Sequence, residues 1–433
     1  MMKQKNLNRW LWKWHVIGGL ISLPFLFFLA VTGAVYLFKA DYNNMVYDSI
    51  QWVEPDDGAI VQSYNQQIAA VQEQTDHPIV QVFVPESSNQ ATGFRVHGKG
   101  HSRDVFYVNP YTAEVTGRVQ QKQTLMYKVR KLHGELLLGK GGEWFVELVA
   151  SWAIVLILTG LYVWWPAKKF SLASFFVVRT GKGRRTFWRD VHAVFGFWLS
   201  LFLLVILAGG MPWTDIFGSQ LKWVQAKTDT GYPKHWRSSK GLKSDVTASS
   251  GKTALSLDDM VAIALQKNLE GRITVKLPRK SDGVFSVSNK SFWLRDQHVF
   301  HFDQYTGDTL KAYRWSDVGI LMELRQIAMR LHQGEYGFAN WLIVLIVSLL
   351  FAVSTVAGLI SYLLRKPEGR WGMPTVPEQF KVGKLLFLII IGLGVLFPLF
   401  GLSLLVLCLF EFCKGYSRSR SVKNKVVKIT PTL

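Results

Sequence analysis

Four of the ten histidines stand at the ends of long apolar stretches, where an ionisable side chain is costly unless it has a task. His15 and His192 open the first and third stretches, and after each of them a glycine follows at four residues and another at eighteen. His133 and His332 introduce the second and fourth stretches. This repeated register predicts that the histidines act in pairs, with one partner from each half of the chain.

Two imidazole nitrogens that face each other across a helix bundle are the ligands of a low-spin bis-histidine haem. We therefore expect His15 and His192 to hold one haem, and His133 and His332 to hold a second haem near the opposite membrane face. The glycine one helical turn after His15 or His192 would let a flat macrocycle approach the backbone. The basic residues predicted to pair with the haem propionates are Lys13, Arg189, Lys131 and Arg330.

Roles other than haem ligation stay open for the histidines. Each of the four would also suit the headgroup region of a membrane, where polar-tipped rings collect. A single metal site built from all four is disfavoured, because much of the bilayer thickness of about 30 Å would separate the pairs. His97, His101, His298 and His301 are expected to be surface polar residues, since the spacings i, i+3 and i, i+4 do not both present one face of a strand.

Five apolar stretches reach the roughly 20 residues that a bilayer crossing takes. They are residues 16–38, 145–165, 193–212, 341–364 and 385–410. Trp and Tyr cluster at their ends, as interfacial belts do. The first stretch lacks a small-x-small cleavage site, so it is expected to stay as an anchor. Almost no other ionisable side chain is apparent within the stretches.

The net charge of +20 indicates membrane topology rather than a nucleic-acid surface. Nearly all of the excess lies in residues 1–15, 166–190, 365–384 and 414–433. The first three segments alternate correctly and are predicted to face the cytoplasm. The basic tail conflicts with this pattern, because one crossing by residues 385–410 carries it outside. A hairpin broken at Pro398 would keep it inside, but its arms are too short to cross, so the single crossing is preferred.

The two long connections between spans also repeat each other. Each offers an amphipathic helix, at residues 62–73 and 256–269, followed by short β-branched runs and a polar turn. Each is therefore predicted to be a small α+β unit, with one helix on an antiparallel sheet.

The predicted fold class is thus an α-helical membrane protein with a duplicated two-span repeat. The repeat gives a four-helix haem-binding bundle, to which a C-terminal fifth span and two small α+β extracytoplasmic domains are added. The expected segments are 1–38 (N-terminus and span 1), 39–132 (first outer domain), 133–165 (span 2), 166–190 (basic loop), 191–212 (span 3), 213–331 (second outer domain), 332–364 (span 4), 365–384 (loop), 385–410 (span 5) and 411–433 (basic tail).

This layout resembles the PepSY-associated transmembrane family over nearly the whole chain up to about Pro367. The resemblance rests on the paired histidine-initiated spans and on two turns, Asn-Pro-Tyr-Thr-Ala-Glu at 109–114 and Asp-Gln-Tyr-Thr-Gly-Asp at 303–308. Ala113 departs from the usual Tyr-Thr-Gly, which Gly307 keeps. The family includes bacterial inner-membrane ferric-siderophore reductases, so the resemblance implies PepSY-like outer domains and b-type haem held by histidines of the spans.

A haem near each membrane face predicts a b-type dihaem oxidoreductase that passes electrons across the bilayer. By resemblance, the acceptor is iron of a ferric siderophore, the enzyme is a haem-dependent ferric-siderophore reductase, and the membrane is the bacterial inner membrane with the large loops in the periplasm. No dinucleotide fingerprint or P-loop is present, so a quinol or a cytosolic reductase is the expected donor. The two cysteines exclude a disulfide scaffold, a Cys-rich zinc module and iron–sulfur ligation by this chain alone.

Two other functions stay open. One is a non-redox membrane protein whose PepSY-like domains bind an envelope partner or a protease. The other is a siderophore permease, although the sequence shows little intramembrane charge and only weak signals of discontinuous helices. No Ser-His-Asp set or other diagnostic catalytic spacing is found, so no catalytic side chain is assigned.

Overall fold

The computed structural model describes residues 2–98, 104–164, 173–245, 253–366 and 384–427. Its α-helices are α1 (Met2–Leu37), α2 (Lys39–Val46), α3 (Asp48–Gln51), α4 (Tyr64–Gln74), α5 (Leu125–Glu135), α6 (Gly139–Trp164), α7 (Ala173–Phe176), α8 (Arg184–Gly210), α9 (Ile216–Thr228), α10 (Leu257–Leu265), α11 (Ile320–His332), α12 (Gly337–Leu363), α13 (Lys384–Leu396) and α14 (Pro398–Val427). Its strands are β1 (Ile79–Phe83), β2 (Thr92–Val96), β3 (Asp104–Val108), β4 (Val115–Gln120), β5 (Arg272–Lys276), β6 (Val284–Lys290), β7 (His298–Asp303) and β8 (Thr309–Arg314).

The chain divides into two units. The helical unit comprises Met1–Ala34, Leu132–Leu221 and Ala328–Leu433. The sheet unit comprises Val35–Lys131 and Lys222–Ile327.

Four helices of the described chain are long and apolar enough to cross a membrane. They are Trp12–Leu37, Gly139–Trp164, Arg184–Trp213 and Gly337–Leu363. Each contains one of the first four predicted spans almost entirely, because an uninterrupted run of apolar residues in hydrocarbon satisfies its backbone polar groups within its own helix.

Interlocking side chains hold these helices side by side within the helical unit. Leu199 and Leu203 of α8 pack against Val347 of α12. Val149 and Ala153 of α6 form a second cluster, together with Leu26 of α1. The same four helices carry His15, His192 and the glycines that follow them, so this packing fixes where the histidines point.

The fifth apolar stretch, for which a single crossing was favoured, is bent rather than one continuous helix. It forms α13 and α14, which meet at a bend of 119° around Phe397. Pro398 is the first residue of α14, a position that suits a residue without a backbone N–H, and it prevents α13 from continuing. The hairpin packs against the other helices through Trp12, Leu386 and Phe400, and Trp152 Nε1 donates to Ser403 Oγ at 3.2 Å. The break falls at Pro398, where the hairpin alternative placed it, and by length and apolarity the bent pair is either one broken span or a re-entrant loop.

A buried carboxylate within the helical unit caps α9, the helix that follows α8. Glu147 of α6 is completely buried, and its two carboxylate oxygens accept the backbone N–H groups of Ile216 and Phe217, both at 3.0 Å. These N–H groups belong to the first turn of α9, which has no carbonyl partners of its own for them. Glu147 therefore caps α9 and lies in a predicted span, where it was not singled out from the sequence.

The sheet unit contains one eight-stranded sheet rather than two separate domains. Its order is β4-β3-β2-β1-β5-β6-β7-β8, and all neighbours run antiparallel. Two four-stranded meanders meet where Val82 of β1 lies opposite Val275 of β5. Each meander alone would leave its first strand as an open edge, and pairing the two edges satisfies both rows of backbone groups. Sequence patterning within one meander carries no information about this partner.

The predicted duplication is visible inside the sheet unit. Each meander is preceded by one helix, α4 or α10, and each helix begins with a capping box, formed by Ser63 with Gln66 and by Ser256 with Asp259. Both helices contribute to the same apolar core on one face of the sheet. The other sheet face is therefore not covered by these two helices.

Candidate functional site

His15 and His192 lie on the wall of one cavity inside the helical unit, with a volume of about 330 Å³. Gly19 and Gly196, one turn after them, line the same cavity, and a Cβ added at Gly196 would meet no described atom within 4 Å. The His192 side chain is solvent-accessible although it lies deep among the helices, because it borders this open volume. Most of the wall is apolar, as in a cofactor pocket.

Hydrogen bonds fix the tautomer of His15 and His133. The Thr159 hydroxyl donates to the Val155 carbonyl at 2.7 Å, so its oxygen accepts from Nδ1 of His15, also at 2.7 Å. Likewise, the Thr32 hydroxyl donates to a carbonyl of its own helix at 2.8 Å and accepts from Nδ1 of His133 at 3.1 Å. A neutral imidazole with its proton on Nδ1 has its lone pair on Nε2.

The other two histidines reach the same tautomer through backbone carbonyls. Nδ1 of His192 donates to the Ser354 carbonyl at 2.8 Å. Nδ1 of His332 donates to the Ile206 carbonyl at 2.7 Å. Because a carbonyl oxygen can only accept, the proton must lie on Nδ1 in both rings. All four neutral histidines therefore carry a metal-ligating lone pair on Nε2, oriented by a partner at the other nitrogen.

His133 and His332 come together with the spacing of two axial ligands. Their ring centroids are 6.1 Å apart and the rings are inclined at 63°. An imidazole nitrogen lies about 2 Å from the metal it binds and its ring centre about 1 Å further, so two imidazoles on one metal have ring centres about 6 Å apart. The observed separation thus fits a single metal ion between them.

Each of the four rings packs against a glycine of a neighbouring helix. The distances from an ideal Cβ on the glycine to the nearest ring atom are 3.2 Å for Gly33 and His133, 3.2 Å for Gly210 and His332, 3.5 Å for Gly160 and His15, and 3.0 Å for Gly358 and His192. Gly33 and Gly210 follow His15 and His192 by eighteen residues, which is five full turns, so α1 and α8 each present a histidine and a distant glycine on one face. The spacing of eighteen residues that the two halves share therefore places each glycine where a histidine of a neighbouring helix packs.

The two pairs fit bis-histidine haem by different observations: His15 and His192 border an apolar cavity, and His133 and His332 have ring centres about as far apart as two imidazoles on one metal. Within the described residues, no group of three or more His, Cys, Asp or Glu side chains is arranged to hold a metal ion. A bis-histidine haem takes only two ligands from the protein, because the macrocycle supplies the rest.

The four predicted propionate partners have different surroundings. Arg189 lines the cavity and donates to its neighbour Asp190 at 2.7 Å. Lys13 forms an ion pair with Glu411 of α14. Lys131 lies over the ring of Tyr127, 6.0 Å from its centroid. Arg330 precedes His332 by two residues on α11.

Helix geometry explains the difference between Arg189 and Lys13. Residues three apart on a helix share a face, whereas residues two apart do not. Arg189 precedes His192 by three residues, and Lys13 precedes His15 by two. The same spacing of two separates Lys131 from His133.

Sequence reasoning missed three residues of this region. Arg365 lines the cavity together with Arg189, and it lies over the Trp12 ring at 5.4 Å. Thr32 and Thr159 hold the first-half histidines. A signal for the threonines was present, because both stand directly before a glycine of the repeat, in Val-Thr-Gly and Leu-Thr-Gly.

The described histidines of the sheet unit belong to no group of three or more side chains arranged to hold a metal ion. His301 is buried, which corrects its expected surface position: Ser286 Oγ lies 2.9 Å from its Nδ1, and its Nε2 lies 2.9 Å from the His235 carbonyl. Burial lowers the pKa of His301, so it favours the neutral form. His298 lies at the opposite parity of β7, and His97 is exposed. His101 lies outside the described residues.

The fold and the site together define a class, which is a helical membrane protein made of two repeats, each with two long spans and half of one antiparallel sheet. The profile of the PepSY-associated TM region matches residues 12–365, a range that contains all four membrane histidines. The protein belongs to the PepSY-associated transmembrane family, as its spans and turns indicated. No curated protein matches the chain.

Proposed function

We propose that this membrane protein is a b-type dihaem oxidoreductase that passes electrons across the bacterial inner membrane to an acceptor in the periplasm. Ferric iron held by a siderophore is the proposed acceptor, and a quinol or a cytosolic reductase is the proposed donor. A quinol gives up two electrons and two protons, so it would serve two ferric chelates, each of which takes one electron. Reduction loosens such a chelate, because its oxygen donors hold the softer Fe(II) less firmly.

The observation that carries the proposal is the pairing of His133 with His332, whose ring centroids lie 6.1 Å apart. Both rings keep Nδ1 occupied by a hydrogen bond to the protein. His15 and His192 line one cavity near the other end of α1 and α8, and each also has Nδ1 in a hydrogen bond to the protein. Eighteen residues of helix separate His15 from the glycine that touches His133, which is about 27 Å along α1 and comparable with a bilayer core.

Haem held by these histidine pairs would supply one-electron redox chemistry. The chain contributes the rest. The Thr159 hydroxyl and the Ser354 carbonyl hold the ring protons of His15 and His192 in place. Apolar side chains form most of the cavity wall, while Arg189 and Arg365 offer positive charge to carboxylates.

A haem assay and one histidine substitution test the proposal. The purified protein is expected to show a Soret band, and His133→Ala is expected to lose half of the haem, because one of the two pairs loses a ligand. His97→Ala is the matched control, since His97 is exposed in the sheet unit and takes no part in either pair. Haem per polypeptide, determined from the pyridine haemochrome, gives the answer.

Electron transfer is tested by mixing dithionite-reduced protein with ferric chelates without oxygen. A shift of the spectrum back to the oxidised form within the mixing experiment is expected with an effective acceptor. Purified protein without any Soret band would overturn the redox proposal, and haem that no ferric chelate reoxidises would overturn the choice of acceptor.

A further inference from the structure

The sheet face opposite α4 and α10 carries a compact set of cations around one aromatic ring. Val82 and its neighbours Phe94 and Val275 are completely buried on the helix side of the sheet. Because strand residues alternate between faces, Gln81 and Phe83 point to the other side.

Cationic side chains surround these two residues. Gln81 lies between Arg95 of β2 and Lys276 of β5 in the ladder, and its Oε1 accepts from Nη1 of Arg95 at 3.1 Å. Two guanidinium groups flank the Phe83 ring, that of Arg95 at 4.8 Å and that of Arg272 at 5.3 Å from the ring centroid. We call Phe83, Arg95, Arg272, Lys276 and Arg237 the cationic face.

Like charges lie close together on this face. Partial burial and the charges of Arg95 and Arg237 lower the pKa of Lys276, and Lys276 Nζ donates to the Arg237 carbonyl at 3.4 Å. Bringing an anion to such a cluster lowers its free energy, because the anion relieves the repulsion between the cations.

The stacked arginines also select the shape of the anion. A guanidinium that stacks on an aromatic ring keeps its N–H groups pointing outward from the ring edge. The guanidinium groups of Arg95 and Arg272, both over the Phe83 ring, present planar donor forks, which match carboxylates through paired hydrogen bonds. Arg272, Lys276 and Arg237 are exposed, so a solute can reach them.

The size of the face suits a small molecule. The cluster centres on the three neighbouring strands β2, β1 and β5, which span about 10 Å. A membrane surface or a protein partner would engage a much broader area. A small solute with several carboxylates can meet three or four of these cations at once.

We propose that the cationic face is the binding site for a small polycarboxylate iron chelate, with its carboxylates held by Arg95, Arg272 and Lys276. The assignment of iron as the chelated metal rests on the proposed function, whereas the affinity for the polycarboxylate does not. If iron is the chelated metal, this binding site narrows the proposed electron acceptor to anionic iron chelates of the citrate type.

Binding of the gallium(III) complex of citrate to the full-length protein tests this inference. Gallium(III) resembles ferric iron in charge and ligands but accepts no electron under these conditions, so binding is measured without haem reduction. Calorimetry at low ionic strength is expected to show saturable binding that weakens as salt is added. Arg272→Gln and Lys276→Gln are each expected to raise Kd about tenfold or more, since each removes a charge-assisted contact.

Lys311→Gln is the matched control, because Lys311 is an exposed cation of the same unit on the edge strand β8, three strands away from β5. It is expected to leave Kd unchanged. Gallium(III) bound to desferrioxamine B, which has no net negative charge, is expected not to compete.

The inference is overturned if the protein does not bind the gallium(III) citrate complex, or if Lys311→Gln raises Kd as much as Arg272→Gln and Lys276→Gln do. It is also overturned if the protein binds anionic vesicles and both cationic-face variants abolish this vesicle binding but keep the binding of citrate, because the face would then serve a membrane surface. Thermal unfolding of each variant shows whether a loss reflects misfolding, and the second variant then carries the test. A protein that binds haem and reduces other chelates but not this one would leave the proposed function standing while this inference fails.

Discussion

Each membrane histidine is positioned by two contacts from a neighbouring helix. One is a hydrogen-bond acceptor for Nδ1, and the other is a glycine that lets the ring approach the helix backbone. The hydrogen-bond acceptor determines which ring nitrogen carries the proton, and the glycine determines how closely the ring approaches the neighbouring helix. Loss of such an outer contact typically lowers the affinity for a bound metal by about 10–100-fold.

The glycine contacts differ enough to give a graded prediction. An added Cβ at Gly358 would lie 3.0 Å from His192 Nδ1, whereas one at Gly160 would lie 3.5 Å from His15. We expect Gly358→Ala to displace the His192 ring and its hydrogen bond, and so to remove haem from the pair with His15. Gly160→Ala should keep it, because 3.5 Å is an ordinary contact distance.

The measurement is haem per polypeptide in both alanine variants, with thermal unfolding as the check on folding. The low-spin spectrum of the remaining haem reports whether the other pair is intact. Full haem content in both variants would show that the ring of His192 does not depend on this close approach.

At the level of single residues, the spacing in the sequence located the histidines and glycines but not their partners. Repetition of the same intervals in two halves is visible without any structure. The partners Thr159 and Ser354 are less visible, because one half uses a hydroxyl and the other a backbone carbonyl, so the two halves share a geometry and not a residue type. Arg365, which follows α12, reaches the wall of the cavity that His192 also lines through the packing of α12 on α8.

The two polar turns of the sheet unit differ in residue type but keep the same geometry. Both polar turns close in the same way: Tyr111 N–H donates to Asn109 Oδ1 at 2.9 Å, and Tyr305 N–H donates to Asp303 Oδ1 at 2.8 Å. Two residues later, both turns need a left-handed backbone, with φ of 58° at Ala113 and 73° at Gly307. Ala113 is therefore strained where its counterpart is not.

Ala113→Gly is expected to stabilise the sheet unit. The left-handed conformation costs an L-residue about 1–2 kcal/mol, part of which glycine returns by its greater freedom in the unfolded chain. We expect a net gain of about 1 kcal/mol or less, which corresponds to a rise in Tm of up to about 2–4 °C for a unit of this size. Thermal unfolding followed by circular dichroism measures it.

The reverse change at the equivalent position gives the control. Gly307→Ala is expected to lower Tm by at least as much, because its Cβ would also lie 2.8 Å from Ile263 Cδ1. If Ala113→Gly lowers Tm instead, the backbone at Ala113 does not store strain.

Local pattern predicted the helices and strands of the sheet unit well and their assembly less well. The predicted strand 79–84 is β1 to within one residue, because alternation of apolar side chains is a property of the strand itself. The junction of β1 with β5 depends on two edges that are far apart in the chain, and their side chains would look the same if each edge were exposed. The cationic face exists only because this junction brings Arg95 next to Lys276 and Arg272.

For the molecule as a whole, the bent pair α13 and α14 bears on the conflict between the basic tail and a single crossing by residues 385–410. The bend at Phe397 lies beside Phe217, with ring centroids 5.0 Å apart, beyond the far end of α8. The returning helix reaches the start of α1, where Glu411 pairs with Lys13. The fourteen residues between Phe397 and Glu411 cover about 21 Å of helix, so the hairpin enters and leaves at the same end of the helical unit.

This arrangement predicts that the tail lies on the same side of the membrane as the N-terminus. The basic residues of 414–433 then join those of 1–15, 166–190 and 365–384 on one face, as the positive-inside rule requires. A single straight crossing would instead separate the tail from the other three segments. The +20 charge of the chain thus becomes consistent with one orientation.

Thiol labelling of intact cells and of permeabilised cells tests the prediction. In a background with Cys408→Ser and Cys413→Ser, which removes both native thiols, single cysteines are introduced as Lys5→Cys, Ser219→Cys or Ser421→Cys. A membrane-impermeant maleimide should label the Ser219 position, in α9 beyond the far end of α8, in intact cells. The Lys5 and Ser421 positions should both require permeabilisation, because the hairpin returns the chain to the starting side. Labelling of the Ser421 position together with the Ser219 position would show instead that α13 and α14 form one complete, bent crossing, and the positive tail would then stand against the rule that the other three basic segments obey.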